Sequence, residues 1–96
     1  MIGQAAMTPA EVAAHLPEVP QWTVVDGALE RTFRFADFHR TMAFVNAVAL
    51  IAQQEDHGPD LFVNWTTCRV RFNTHDVQGL SLNDFICAAK VDALIA

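Results

Sequence analysis

The stretch Trp22–Phe35, WTVVDGALERTFRF, decides the fold. Asp26-Gly27 is a pair suited to the tight turn that joins two antiparallel strands, because both residues tolerate the left-handed backbone such a turn demands. Trp22 to Val25 before it and Leu29 to Phe35 after it are made of residues that favour strands. In the second segment Leu29, Arg31, Phe33 and Phe35 alternate with Glu30, Thr32 and Arg34, the period of two expected of a strand with one covered face. The spacing predicts a hairpin.

Moving toward the C-terminus, Asp37 is placed to cap a helix from Phe38 to about Glu55, which contains neither Gly nor Pro. Its apolar stripe is Phe38, Met42, Val45, Ala49 and Ala52, and Phe44, Ala47, Val48, Leu50 and Ile51 carry the apolar surface further round. A helix apolar on more than one side needs more than one surface to bury against, here the sheet and a second subunit. Gly58-Pro59 breaks the chain, after which Leu61–Trp65 and Thr67–Asn73 form a second pair of strands, with Cys68, Val70 and Phe72 on one side and Arg69 and Arg71 on the other. Gly79 closes a loop. Ser81-Leu82-Asn83-Asp84 starts a last helix by the spacing of a capping box, with Leu82, Phe85, Ile86, Ala89 and Ala93 on one face.

Toward the N-terminus, Thr8-Pro9-Ala10-Glu11 is a capping box with proline at the first helical position. It begins a short helix to about Leu16, ended by Pro17 and Pro20. The order is α-β-β-α-β-β-α. Two hairpins make a mainly antiparallel sheet, so the class is α+β with helices covering one face. Residues 1–96 are expected to form a single domain.

Composition limits the function. Six basic residues against eleven acidic ones, a net charge of -5, argue against direct binding to nucleic acid. No stretch approaches the roughly 20 apolar residues of a membrane span, and Met1 to Ala14 lacks the layout of a secretory signal, so a cytoplasmic protein without membrane contact is expected. The hydrophobic fraction of 52% is high for so small a body, which favours self-association. Cys68 and Cys87 lack metal-binding spacing and fit small core positions.

Chemistry concentrates on two histidines. His57 follows the long helix in Gln53-Gln54-Glu55-Asp56-His57-Gly58-Pro59, and His75 follows the fourth strand in Asn73-Thr74-His75-Asp76. They flank the second hairpin, so strand pairing brings both to one edge of the sheet. Two imidazoles in one cleft, with unperturbed pKa values of about 6.5, can divide into an acid and a base near neutral pH. Trp65 is expected in the core or pocket wall, and Asp84 as the residue that reaches back to the Ser81 amide. His15 and His39 have no evident partner.

The residues Gln53, His57, Gly58, Pro59, Trp65, His75 and Asp84 match, spacing for spacing, the motif of a known family. The chain resembles the pterin-4a-carbinolamine dehydratases, whose motif is an acidic residue, three spacers, His-His-Pro, an aromatic, a further histidine and an aspartate. The likeness runs from Trp22 through the last helix and includes Phe35, Asp37, Phe38, Thr74-His75 and Gly79-Leu80-Ser81. It implies a four-stranded antiparallel sheet and a homodimer or homotetramer. The implied reaction is loss of water from a 4a-hydroxytetrahydropterin such as 4a-hydroxytetrahydrobiopterin, giving the quinonoid dihydropterin that a reductase recycles. The resemblance places Asp56, His57, Gly58, Asn73, Thr74, His75 and Asp76 around the pterin, with His57 and His75 moving protons and no metal or organic cofactor.

The sequence departs from the motif where Gly58 replaces the second histidine and Gln53 replaces the acidic residue. Neither replacement transfers protons well. Glu55 stands about 200° around the helix from Gln53 and cannot simply take over. At Gly58 a turn using positive φ is one explanation for glycine, and lost acid/base equipment is the other. The alternative to an enzyme is therefore a catalytically weakened pterin-binding, protein-binding or oligomer-stabilising module.

Overall fold

A computed structural model describes residues 5–96; positions 1–4, included in the expected domain and in the stretch read for a secretory signal, lie outside the described residues. The elements are α1 (Pro9–His15), a 3-10 turn (Leu16–Glu18), β1 (Thr23–Val25), β2 (Ala28–Arg34), α2 (Phe38–Glu55), β3 (Asp60–Val63), β4 (Thr67–Phe72), a 3-10 turn (His75–Val77) and α3 (Leu82–Ala93). The four strands form one sheet in the order β1-β2-β4-β3, and every neighbouring pair is antiparallel. The α-β-β-α-β-β-α order and the α+β class are those of the sequence reading.

Local chemistry accounts for the boundaries. Asp26 and Gly27 both take positive φ, 48° and 79°, which twists the β1–β2 turn to match the strands. Thr8 and Glu11 bond reciprocally across the first turn of α1, and the Asp37 carboxylate accepts the Arg40 amide at 2.8 Å to start α2. Three strands are one residue shorter than expected, and β2 keeps its length but is shifted by one residue. Trp22 precedes β1 and Asn73 follows β4, while β2 begins at Ala28 and ends before Phe35.

One face of the sheet carries the core. Leu29 and Phe33 from β2 and Cys68, Val70 and Phe72 from β4 are buried against Phe44 and Val48 of α2 and Phe85, Ala88 and Val91 of α3. Trp22 packs against Phe33 and Phe72, and its buried indole N–H donates to Asp92 Oδ1 at 2.8 Å. Arg31 donates to the same oxygen at 2.7 Å, tying β2 to α3. On the other face Arg71 bonds Glu30, its cross-strand partner, and the Arg69 guanidinium lies 4.3 Å from the centre of the Phe62 ring.

The helix faces differ from expectation. In α2 the buried row is Thr41, Phe44 and Val48, whereas Phe38 and Ala49 of the expected stripe are exposed. In α3 the row is Asp84, Cys87, Ala88 and Val91 with Phe85, and Leu82, Ala89 and Ala93 face out. Trp65 is neither core nor pocket wall. It occupies the tip of the β3–β4 turn, closed by the Asn64 amide on the Thr67 carbonyl, is 72% exposed, and stacks on Phe38 at 4.8 Å. His15 has a partner after all, Glu18 at 2.8 Å, and its ring also meets Phe85.

Two expectations follow. Gly27→Ala meets no steric contact but must hold a left-handed backbone, so it should cost about 1–2 kcal/mol, seen as a lower urea midpoint with an unchanged slope. An unchanged midpoint would show that the turn does not require glycine. Burial, aided by Glu55 and Asp84, pushes the Cys87 thiol up to about 11, and burial also raises that of Cys68. At pH 8 only about one Cys87 in a thousand is then a thiolate, so neither thiol should react quickly with an aromatic disulfide until the protein is unfolded.

Candidate active site

The end of α2 sets the position of His57. Asp56 takes the left-handed conformation at φ 50°, and the His57 amide donates back to the Ala52 carbonyl at 3.0 Å. This closes the helix with two backbone bonds and turns the chain toward β3. The His57 ring lies nearly parallel to Phe72 at the end of β4, with 5.9 Å between centres and 11° between planes, and only 9% of the side chain is exposed.

A buried carboxylate fixes the ring from the other side. Asp84, the third residue of α3 and fully buried, places Oδ1 2.5 Å from His57 Nε2. Its Oδ2 accepts the Ser81 amide at 2.9 Å and the Thr74 hydroxyl at 2.9 Å, while the Ser81 and Thr74 hydroxyls are 2.7 Å apart. Because Thr74 spends its proton on Asp84, the Ser81 hydroxyl is the donor to Thr74. A carboxylate only accepts, so Nε2–H of His57 donates to it. Nδ1 is left as the nitrogen that takes up or releases a proton.

His75 is held differently. Thr74 and Gly79 exchange backbone bonds of 2.8 and 3.4 Å, pinching residues 74–79 into a closed loop, with Gln78 left-handed at φ 53°. His75 begins the 3-10 turn within that loop and is exposed. Among the described residues its side chain has no hydrogen-bond partner.

A cavity of about 140 Å³ lies between these segments, lined by Asp56, His57 and Gly58 on one side and Asn73, Thr74, His75 and Asp76 on the other. The structure thus gathers all seven residues named from the sequence around one opening. Gln53 is not among them; it lines a neighbouring depression that shares Asp56, His57 and Gly58. Glu55 bonds Lys90 of α3 at 3.0 Å and is turned to a structural contact. Gly58 does not have positive φ, and no atom lies within 4 Å of where its Cβ would stand. The conformational explanation for glycine at 58 therefore fails: a side chain fits there.

The sequence reading missed the reach of Asp84 to His57, because its bond to the Ser81 amide already accounted for the residue locally. It also missed Phe72 as the platform for the imidazole. The signal available was a carboxylate with two oxygens, one of which the capping bond leaves unused. Among the described residues no group of three or more His, Cys, Asp or Glu side chains is arranged to hold a metal ion.

Comparison with known proteins gives the family. The family model described as pterin 4 alpha carbinolamine dehydratase matches residues 5–94. A protein of Stenotrophomonas maltophilia, named provisionally as a pterin-4-alpha-carbinolamine dehydratase, is 60% identical over 87 residues, covering 88% of this chain and 75% of that protein. One of Chromobacterium violaceum with the same provisional name is 52% identical over 92 residues, covering 96% and 85%. Among solved structures, a transcriptional coactivator/pterin dehydratase from Brucella melitensis superposes with a TM-score of 0.90 at 30% identity, covering 95% of this chain and 99% of that one. A pterin dehydratase-like protein identified as a RuBisCO assembly factor in the alpha-carboxysome shares the fold, with a TM-score of 0.63 at 22% identity over 76% of this chain and 84% of that one. A family match across nearly the whole described chain, with relatives more than half identical, means that this chain belongs to the pterin 4 alpha carbinolamine dehydratase family.

Proposed function

We propose that the chain dehydrates a 4a-hydroxytetrahydropterin, the class that includes 4a-hydroxytetrahydrobiopterin, to the quinonoid dihydropterin, as a step in tetrahydropterin recycling. The C4a–O bond breaks, N5 gives up its proton, and a C4a=N5 double bond forms as water leaves. Only protons move between protein and substrate, which suits two histidines. Asp56, Gly58, Asn73, Thr74 and Asp76 bind the pterin around them.

The observation that carries this reading is the unequal setting of the two imidazoles on one cavity. His57 is tied through Nε2 to the Asp84 carboxylate, which fixes the ring and leaves Nδ1 to accept a proton. It is the base for N5–H. His75, exposed and without such a partner among the described residues, delivers a proton to the departing hydroxyl. Gln53 and Gly58 leave the site with less acid/base equipment than the motif carries.

A second reading has a specific basis. Those two replacements, together with exposed Leu50, Phe62, Val63 and Trp65, suit a module that binds a pterin or a protein rather than a fast enzyme. The Brucella melitensis structure carries both roles in its description, coactivator and dehydratase. Either way we expect a homodimer or homotetramer in the cytoplasm, since β3 is an edge strand that leaves one side unpaired. Light scattering should give a dimer or tetramer mass, and a monomer at every concentration would reject self-association.

The deciding experiment follows dehydration of freshly generated 4a-hydroxytetrahydropterin. Wild type should exceed buffer. His57→Ala and His75→Ala should each lose about 10²–10⁴ of the catalysed rate with the fold intact. Asp84→Asn tests the positioning role. The Ser81 and Thr74 donors hold the amide oxygen, which turns the NH₂ toward His57 and forces Nε2 to accept, so the ring carries its proton on the wrong nitrogen. The expected loss is about 10² or more in kcat. No rate above buffer, from a folded oligomer, would favour the binding module.

A further inference from the structure

We infer that the pocket continues past Gly58 into an apolar annex that receives the substituent carried at C6 of the pterin, and that a compact apolar or aromatic group is preferred there. The inference rests on the reading of the cavity as a pterin site and adds a determinant of which pterin it takes.

The annex has a volume of about 410 Å³ and is lined by Ala49, Ala52 and Gln53 of α2 with Pro59 and Leu61 at the start of β3. It shares Asp56, His57 and Gly58 with the cavity of about 140 Å³ that holds the two histidines. The two compartments differ in chemistry. Asn73, Thr74 and Asp76 give the smaller one donors and acceptors for the polar edge of a pterin, whereas four of the five residues found only in the annex are apolar. The ring therefore belongs in the first compartment, and an apolar group belongs in the second.

Connectivity of the substrate points the same way. C6 is bonded to N5, the atom that must lie beside His57 in order to lose its proton. A substituent on C6 consequently leaves the ring next to His57, where the following residue is Gly58. That residue has no side chain, and no atom within 4 Å would meet one. Gly58 lines both compartments, so a histidine at position 58 would place a side chain on the rim they share. Gln53, exposed on the rim, brings no charge that would oppose an apolar group. Loss of the motif histidine thus reduces the acid/base equipment and opens space beside C6.

The test compares binding of 6-phenyl-7,8-dihydropterin and 6-methyl-7,8-dihydropterin to the oligomeric protein by anaerobic calorimetry. Wild type should bind the phenyl compound at least about tenfold more tightly, within the range a hydrophobic pocket gives for small apolar differences. Gly58→His, which puts a side chain at the rim the two compartments share, and Ala49→Met, which fills the annex from α2, should each remove most of that preference; Ala49→Met, which lies outside the pterin compartment, should keep the methyl compound bound at wild-type affinity. Equal affinities in wild type, or a preference that survives in both folded variants, would overturn the inference. Failure of both compounds to bind would overturn it together with the pterin reading. A phenyl preference in a protein with no dehydration rate would uphold the annex and reject only the enzyme.

Discussion

One buried carboxylate holds together everything that gives this fold a site. Asp84 starts α3 by accepting the Ser81 amide, takes the Thr74 hydroxyl from the exit of β4, and takes His57 from the turn after α2. The turn after α2, the exit of β4 and the start of α3 meet on two oxygens. A carboxylate with no solvent exposure is costly unless its acceptor sites are filled, and here each oxygen has a donor. Stability and positioning depend on the same atoms, so removing the carboxylate frees the imidazole and leaves the Ser81 amide, itself buried, without its partner.

The remaining architecture serves that meeting point. The antiparallel β3–β4 pair returns the chain, placing the residues before β3 beside those after β4, and Phe72 at the end of β4 supplies a flat wall for the His57 ring. The loop 74–79 is pinched by Thr74 and Gly79, which holds His75 near the cavity without burying it. Two histidines of one residue type thereby acquire different surroundings. Such a difference is what acid and base roles require.

Much of the fold was legible because it is set by local chemistry. Asp26-Gly27 demanded a left-handed turn, Asp37 and Thr8 announced helix starts, and the alternation of Cys68, Val70 and Phe72 with Arg69 and Arg71 fixed which face is covered. The helix faces were not legible. Alpha2 is apolar over more than half its circumference, so the apolar stripe alone does not pick out the covered side, and the buried row includes Thr41, whose hydroxyl reaches the Asp37 and Trp65 carbonyls. In α3 the row is rotated by Asp84, which its contacts draw inward. Trp65 misleads for another reason: strand propensity is high, yet the β3–β4 turn puts it at the tip. Both histidines could be placed by hairpin geometry, but the bond from Asp84 to His57 is tertiary and leaves no trace in local spacing.

The central claim is that Asp84 holds the proton of His57 on Nε2 and leaves Nδ1 for exchange with substrate. Long-range proton–nitrogen correlation NMR of the histidine rings at a pH where His57 is neutral tests it directly. The account predicts an Nε2–H tautomer in the wild-type protein that converts to Nδ1–H in folded Asp84→Asn. An Nδ1–H tautomer in the wild type, or a tautomer unchanged by the substitution, would contradict it.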